Sequence, residues 1–244
     1  MAVETGNPFR VGAVLGRGFS ILAGNILPFG AIAILITIPY ILVSPLMERV
    51  STDRPGLLVA FVVGFVSLIL LLGYLTTAAI SFGTFQDLNG QRARAIDCFS
   101  RGVVLIFPIL GVAILMSLAV MLGIVLLIVP GLIAMTILWV AIPVAVVERP
   151  GVIASLQRSA ELTRGYRWQI FGIILLLSAI ETVIGLIAGE IIPGDPGTMP
   201  ALIVDGIVTA FFIALGAVIA TVGYHDLRAA KEGVGTADIA KVFD

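Results

Sequence analysis

The sequence predicts an all-α protein: a polytopic membrane bundle of six transmembrane helices, with three amphipathic interfacial helices that each precede a transmembrane hairpin. Two observations carry this prediction. Hydrophobic residues make up 59% of the 244 residues and charged residues only 12%, about half the usual share in soluble proteins. The apolar residues also occur in runs of about twenty, the length at which a helix crosses a hydrocarbon core about 30 Å thick.

Six apolar runs give the predicted spans of a single membrane domain that covers residues 1–244. The first run is too long for the apolar region of a signal peptide, so we expect it to remain as an anchor. Residues 102–147 are too long for one span, and Pro130-Gly131 is their only turn signal, which predicts a tight hairpin there. The spans are Ile26 to Leu46, Leu57 to Phe82, Val103 to Val129, Leu132 to Val147, Trp168 to Ile192 and Ala201 to Tyr224.

Arginine and lysine residues predict the orientation, because basic residues beside membrane spans are retained on the cytoplasmic side. With both termini in the cytoplasm, twelve of the 14 basic residues lie on that side, and only Arg49 and Arg54 lie outside. The inverted arrangement would have to translocate nearly every positive charge. We therefore expect both termini to be cytoplasmic.

A short pattern precedes each pair of spans: an apolar residue two places before an arginine, and a small residue directly after it. We interpret it as three units, each beginning with an interfacial helix whose arginines face anionic phospholipid headgroups. The alternative is a chance recurrence of basic residues beside membranes. The pattern occurs as Leu15-Gly16-Arg17-Gly18, Phe99-Ser100-Arg101-Gly102 and Leu156-Gln157-Arg158-Ser159, and the candidate headgroup contacts are Arg17, Arg101, Arg158, Arg164 and Arg167.

Glu181 lies near the middle of the fifth predicted span, where an ionisable group is costly and is a candidate functional site. Ser178, Gly185 and Gly189 share its helical face, and the two glycines are spaced to let another helix approach closely. We therefore predict that Glu181 faces the bundle, protonated and hydrogen-bonded to serine, threonine or backbone. It could relay protons or contact a cationic substrate, or it could simply hold two helices together.

Several kinds of chemistry are not indicated by the sequence. The single cysteine, Cys98, excludes an internal disulfide, and the single histidine, His225, excludes a multi-histidine metal site. No nucleophile can be matched with a histidine and an acid, and no glycine-rich phosphate-binding loop is present. The net charge of −1 does not favour nucleic acid as a partner. We expect no enzymatic activity, no cofactor and no bound metal.

Two segments resemble a known family. They are the run from Pro143 to Trp168, which contains Glu148, Arg158 and Ser159, and the ending Tyr224-His225-Asp226-Leu227-Arg228. They resemble the bacterial membrane-domain family first recognised attached to glycerophosphoryl diester phosphodiesterases, and the stretch from Phe9 to Phe29 is similar too. His225 departs from that family's ending, where an aromatic residue is frequent.

The resemblance implies a multi-pass domain of the bacterial inner membrane, which often occurs without a catalytic partner. The phosphodiesterase domain itself is not part of this sequence, so its activity is not implied. Our leading hypothesis is a non-enzymatic membrane module that assists an envelope or lipid-related process. The alternative is a small transporter that uses the carboxyl group of Glu181, and an enzymatic role would require a catalytic partner on another chain.

Overall fold

The computed structural model describes residues 9–49, 55–91, 95–191 and 198–232. Within those ranges the chain is helical and contains no strand, and six stretches are long and apolar enough to cross a membrane. The protein is therefore an all-α, multi-pass membrane bundle, as the sequence predicts. The helices are α1 (Val11–Gly24), α2 (Ile26–Arg49), α3 (Pro55–Leu88), α4 (Ala95–Val104), α5 (Ile106–Leu126), α6 (Ile128–Ile137), α7 (Ala141–Val147), α8 (Val152–Leu162), α9 (Arg167–Ile191) and α10 (Met199–Glu232).

A short helix precedes each pair of long segments: α1 precedes α2 and α3, α4 precedes α5 and α6–α7, and α8 precedes α9 and α10. The short helices gather at one end of the bundle. There the ring of Phe9 lies 5.5 Å from that of Tyr166, and Asn25 Nδ2 donates to Asp87 Oδ1 at 3.1 Å. We call this the basic end, because it carries several arginines, and the opposite one the far end. These arginines include Arg10, Arg17, Arg158, Arg164 and Arg167.

Two of the short helices each bury one face against the bundle. Their buried residues follow each other at steps of three or four, the spacing of one face of a helix. The small residue that follows the arginine of the repeated pattern lies on the buried face in both helices. The buried residues are Val14, Gly18 and Leu22 in α1, and Ser155, Ser159 and Leu162 in α8.

Helix α10 forms the centre of the bundle and contacts α1, α2, α3 and α9. Close approach depends on glycines, since a Cβ on Gly18 would lie 2.7 Å from Ile219 Cγ1, and one on Gly223 would lie 2.5 Å from the Trp139 ring. Towards the far end, Thr37 Oγ1 donates to the carbonyl of Gly206 at 3.2 Å. The best-packed part of the core therefore surrounds α10, which is the last of the described helices.

The hairpin between the third and fourth spans turns at Leu127, not at Pro130-Gly131 as the sequence predicts. Leu127 is extended, with φ −165° and ψ 143°, and α6 begins at the next residue. Pro130 fits the first turn of α6, because the backbone N–H that it lacks has no intrahelical acceptor there. Gly131 serves packing, since a Cβ built on Gly123 would lie 2.7 Å from the Cα of Gly131. Pro130 and Gly131 therefore lie within α6 and do not form the predicted turn.

The fourth span is broken between α6 and α7. Pro143 has no N–H, and a proline ring crowds the preceding turn of a helix, so the hydrogen-bond ladder cannot run through unchanged. The N–H of Ala141 donates to the carbonyl of Leu138 at 3.0 Å. The carbonyl of Ile137 instead accepts a hydrogen bond from Ser159 Oγ at 2.8 Å. Thr163 Oγ1 lies 3.3 Å from the same oxygen, and its shorter hydrogen bond, at 2.9 Å, goes to the carbonyl of Ser159. Hydroxyls at the start of the third unit thus satisfy the break in the second.

Candidate functional site

The membrane-spanning part of the bundle contains an open cavity of about 680 Å³. Its walls come from α3, α5, the α6–α7 segment, α9 and α10, so all three units of the chain contribute. Most of the lining is aliphatic or aromatic, as in Met116, Trp139 and Phe212. The volume falls in the range of about 300–1,000 Å³ that is usual for small-molecule sites.

Few polar side chains line this cavity, and they come from two directions. Glu181 and Ser178 enter from α9. Opposite them, the hydroxyls of Tyr74 on α3 and Ser117 on α5 lie 3.0 Å apart and share a hydrogen bond. Thr77 also lines the wall, with its hydroxyl donating to the carbonyl of Gly73 at 2.9 Å. The cavity is an apolar site with one carboxyl group and a small set of hydroxyls.

Glu181 and Ser178, which the sequence singles out, therefore do reach a common site. Glu181 is partly buried, and none of the described residues that line the cavity is a lysine or arginine. The charge that acts on its carboxyl from elsewhere in the described chain is that of Asp205, on α10. The predicted hydrogen bond to serine, threonine or backbone is not formed with any described residue, because the carboxyl lies at an open wall.

The predicted helix packing at Gly185 and Gly189 is wrong for the described part of the chain. Both glycines are exposed, and a Cβ added to either would meet no atom within 4 Å. The reason is that α9 leaves its neighbours towards the far end: the residues it buries fully, Ile170 and Ile173, both lie near its start. The two small residues thus face outward from the bundle.

A second polar group of residues lies at the basic end, and it joins the segments that carry the family resemblance. The hydroxyl of Tyr224 donates to Glu148 Oε1 at 2.8 Å, and Arg158 Nε donates to Glu148 Oε2 at 3.2 Å. Arg158 also pairs with Glu232, to which Arg228 Nε donates at 2.9 Å. The end of α7, the middle of α8 and the end of α10 are thereby held together.

Asp226, the remaining residue of that motif, accepts from Arg17 on α1, and His225 Nδ1 lies 3.6 Å from its other oxygen. Arg17 and Arg158, both candidate headgroup contacts, thus point to acidic residues of α10. Arg164 and Arg167 are exposed, and neither forms an ion pair within the described residues. The side chain of Arg101 lies outside the described part of the chain.

Cys98 lies on α4 and is fully buried, with its sulfur beside Gly83. Burial, followed by the charge of Asp97, raises the pKa of the Cys98 thiol to about 11. The thiol is therefore neutral at ordinary pH and is a poor nucleophile. Among the described residues, no group of three or more histidine, cysteine or acidic side chains is placed to hold a metal ion.

Sequence reasoning missed the Tyr74 and Ser117 pair, because the two residues are 43 positions apart and lie in different predicted spans. It also missed Asp205, which accepts from the hydroxyl of Tyr40 at 2.9 Å. The only available signal was that each is a polar residue inside a predicted span.

Comparison with known proteins gives no match: no family model fits the chain, and neither the curated proteins nor the solved structures contain a similar one. The family resemblance therefore stays a prediction.

Proposed function

We propose that this chain is a non-enzymatic, multi-pass protein of the bacterial inner membrane that binds an amphipathic molecule of the envelope inside the bilayer. The observation that carries the proposal is the cavity of about 680 Å³ with Glu181 in its wall. An ionisable group at such a depth is expensive, and in membrane proteins it usually faces a cavity or pathway that uses it.

The lining indicates the chemistry of the ligand. Aliphatic and aromatic walls favour an apolar chain or ring system, because such surface stays out of water on binding. The carboxyl of Glu181 and the hydroxyls of Tyr74 and Ser117 favour a group that donates hydrogen bonds or carries positive charge. A long-chain amine combines both features, and we propose that class of ligand.

The binding test compares a photoactivatable long-chain primary amine with the alcohol of the same chain length, using the full chain in liposomes. We expect the amine to label the cavity helices about tenfold more than the alcohol, because a hydrogen bond to a charged group contributes about 1.5–3 kcal/mol. Glu181→Gln should abolish this preference. Glu190→Gln is the matched control, because Glu190 is an exposed acid on the same helix that does not line the cavity.

Equal labelling by the amine and the alcohol in the wild-type protein would overturn the proposal. A preference that survives Glu181→Gln would also overturn it, since the recognising group would then lie elsewhere.

A second candidate is a small transporter, and the break in the fourth span favours it. Discontinuous membrane helices recur at transport sites, and Trp139, within the break, lines the same cavity. This hypothesis predicts a flux into liposomes that depends on a pH gradient and stops in Glu181→Gln. A stable Glu181→Gln protein with full flux would exclude it, and a lack of flux across a broad solute panel would leave binding without transport.

We also propose that the chain is related to the membrane-domain family that it resembles. The proposal is supported by the contacts among Glu148, Arg158 and Tyr224, which give the motif residues a shared structural role. The orientation with both termini in the cytoplasm is supported by the arginines at the basic end.

A further inference from the structure

A second, smaller groove lies on the outside of the bundle at the basic end, away from the cavity of Glu181. It has a volume of about 390 Å³ and lies between α6 and the first turn of α9. Its apolar floor includes Leu132, Ile133 and Phe171, and its rim carries Arg167 and Trp168. None of the described residues that line it is acidic. The groove thus combines an apolar surface with a cationic edge.

The charge at this edge is not neutralised by the surrounding residues. Arg167 is exposed and forms no ion pair within the described chain, and the same is true of Arg164, one turn earlier. Lys231 lies within electrostatic range of both arginines, and its ammonium donates to the backbone carbonyl of Glu161. Arg158, by contrast, is paired with Glu148 and Glu232. Arg164 and Arg167 therefore present two guanidinium groups without an ion pair, while Lys231 lies in the electrostatic field of both arginines and of the Glu161 carboxylate.

The aromatic residues fix the depth of this edge. Trp168, one of the two tryptophans in the chain, is 84% exposed. Its ring centroid lies 6.2 Å from that of Phe171, in an edge-to-face arrangement. Exposed indole rings favour the interface between headgroups and acyl chains. Phe171 lies one turn further along α9, towards the hydrocarbon core. The exposed indole thus favours headgroup level for the rim, with the ring of Phe171 one turn further along the same helix.

From this arrangement we propose that the groove is a binding site for an anionic phospholipid. Its phosphate accepts hydrogen bonds from the guanidinium of Arg167, whose planar donors suit phosphate oxygens. One acyl chain lies over Leu132, Ile133 and Phe171. The proposal assigns the expected contact between Arg167 and a phospholipid headgroup to one groove. It does not depend on the function of the cavity lined by Glu181.

The test uses the fluorescence of Trp168, measured as the difference between the wild-type protein and Trp168→Phe, in liposomes of phosphatidylcholine and phosphatidylglycerol. The bilayer composition is held constant, and only the species that carries quenching bromine atoms on its acyl chains is changed. One arginine contact near the surface is expected to enrich the anionic lipid about fivefold at the site. Brominated phosphatidylglycerol should therefore quench Trp168 more strongly than brominated phosphatidylcholine at equal mole fraction.

Three variants separate a built site from diffuse attraction to the basic end. Arg167→Gln should remove the preference, whereas Arg149→Gln, which removes another exposed arginine outside the groove, should retain it. Ile133→Phe keeps all the charges but fills the floor, and it should also reduce the preference. Equal quenching by the two lipids in the wild-type protein would overturn the proposal. So would a preference that Arg167→Gln leaves intact, or one that Arg149→Gln removes equally.

Discussion

Single residues decide how closely the first short helix packs, and Gly18 shows it best. A Cβ at Gly18 would lie 2.7 Å from Ile219 Cγ1 and 3.6 Å from its Cα. Ile219 is fully buried and β-branched, so its side chain has little freedom to move away. The small residue after Arg17 in the repeated pattern is thus required by contact with α10.

We expect Gly18→Ala to lower the free energy of unfolding by about 1–3 kcal/mol, the usual cost of overpacking. Gly16→Ala is the control on the same helix: Gly16 is exposed, and its Cβ would meet nothing within 4 Å. Alanine is the better helix former, so Gly16→Ala should raise stability by up to about 1 kcal/mol. Thermal unfolding of both variants in one detergent, followed by helical circular dichroism, measures the difference. Equal midpoints would contradict the tight contact.

At the scale of elements, the break in the fourth span depends on hydroxyls from another unit. Ser159 donates to the carbonyl of Ile137, which receives no intrahelical bond from Ala141, and the hydroxyl of Thr163 lies 3.3 Å from the same oxygen. A carbonyl left without a donor inside a bundle costs more than the hydrogen bond itself contributes. The two hydroxyls therefore stabilise the interruption between α6 and α7.

We expect the double variant Ser159→Ala, Thr163→Ala to lose about 1–3 kcal/mol, the cost of a buried unsatisfied acceptor. Ser155→Ala is the matched control, because its hydroxyl donates to Gly151, whose carbonyl still accepts the N–H of Ser155. Denaturant unfolding in mixed micelles compares the variants. A control that is destabilised as much as the double variant would show that α8 simply tolerates no alanine on its buried face.

The helices show what the sequence could and could not predict. The length of the apolar runs predicts six spans, because crossing a bilayer is a requirement on one segment alone. The sequence could not predict the break after Ile137, because the hydroxyls close to the Ile137 carbonyl belong to residues 22 and 26 positions later in the chain. The predicted position of the hairpin turn was wrong for a related reason. Gly131 is needed for the close contact of α6 with α5, and local turn preferences do not reveal such a contact.

The residues of the candidate site also include some whose role the sequence could predict and some whose role it could not. Glu181 was predictable, because a carboxylate inside an apolar run is unusual whatever surrounds it. The role of Gly185 and Gly189 was not, because the same spacing serves equally for contact within the chain, between chains or with lipid. Which of these applies depends on the tilt of α9, and tilt is set by neighbouring helices.

For the whole molecule, the placement of charge gives the most direct test of orientation. The three short helices, the segments beside them and the end of α10 carry most of the described basic residues to one end, which the positive-inside rule assigns to the cytoplasm. A cysteine-labelling experiment can use the natural chain as its background. Cys98 is fully buried and its pKa is raised to about 11, so at pH 7 it should react little with maleimide.

Gln91→Cys places a thiol at the basic end, in the exposed turn that follows α3, and Glu190→Cys places one near the exposed far end of α9. With an impermeant maleimide on intact bacterial cells, we expect Glu190→Cys to react and Gln91→Cys to react only after permeabilisation. The opposite pattern would reverse the orientation and move Arg167 and its groove to the outer leaflet. Labelling of Cys98 at pH 7 should appear only on unfolding, because unfolding exposes the thiol and removes the burial that raises its pKa.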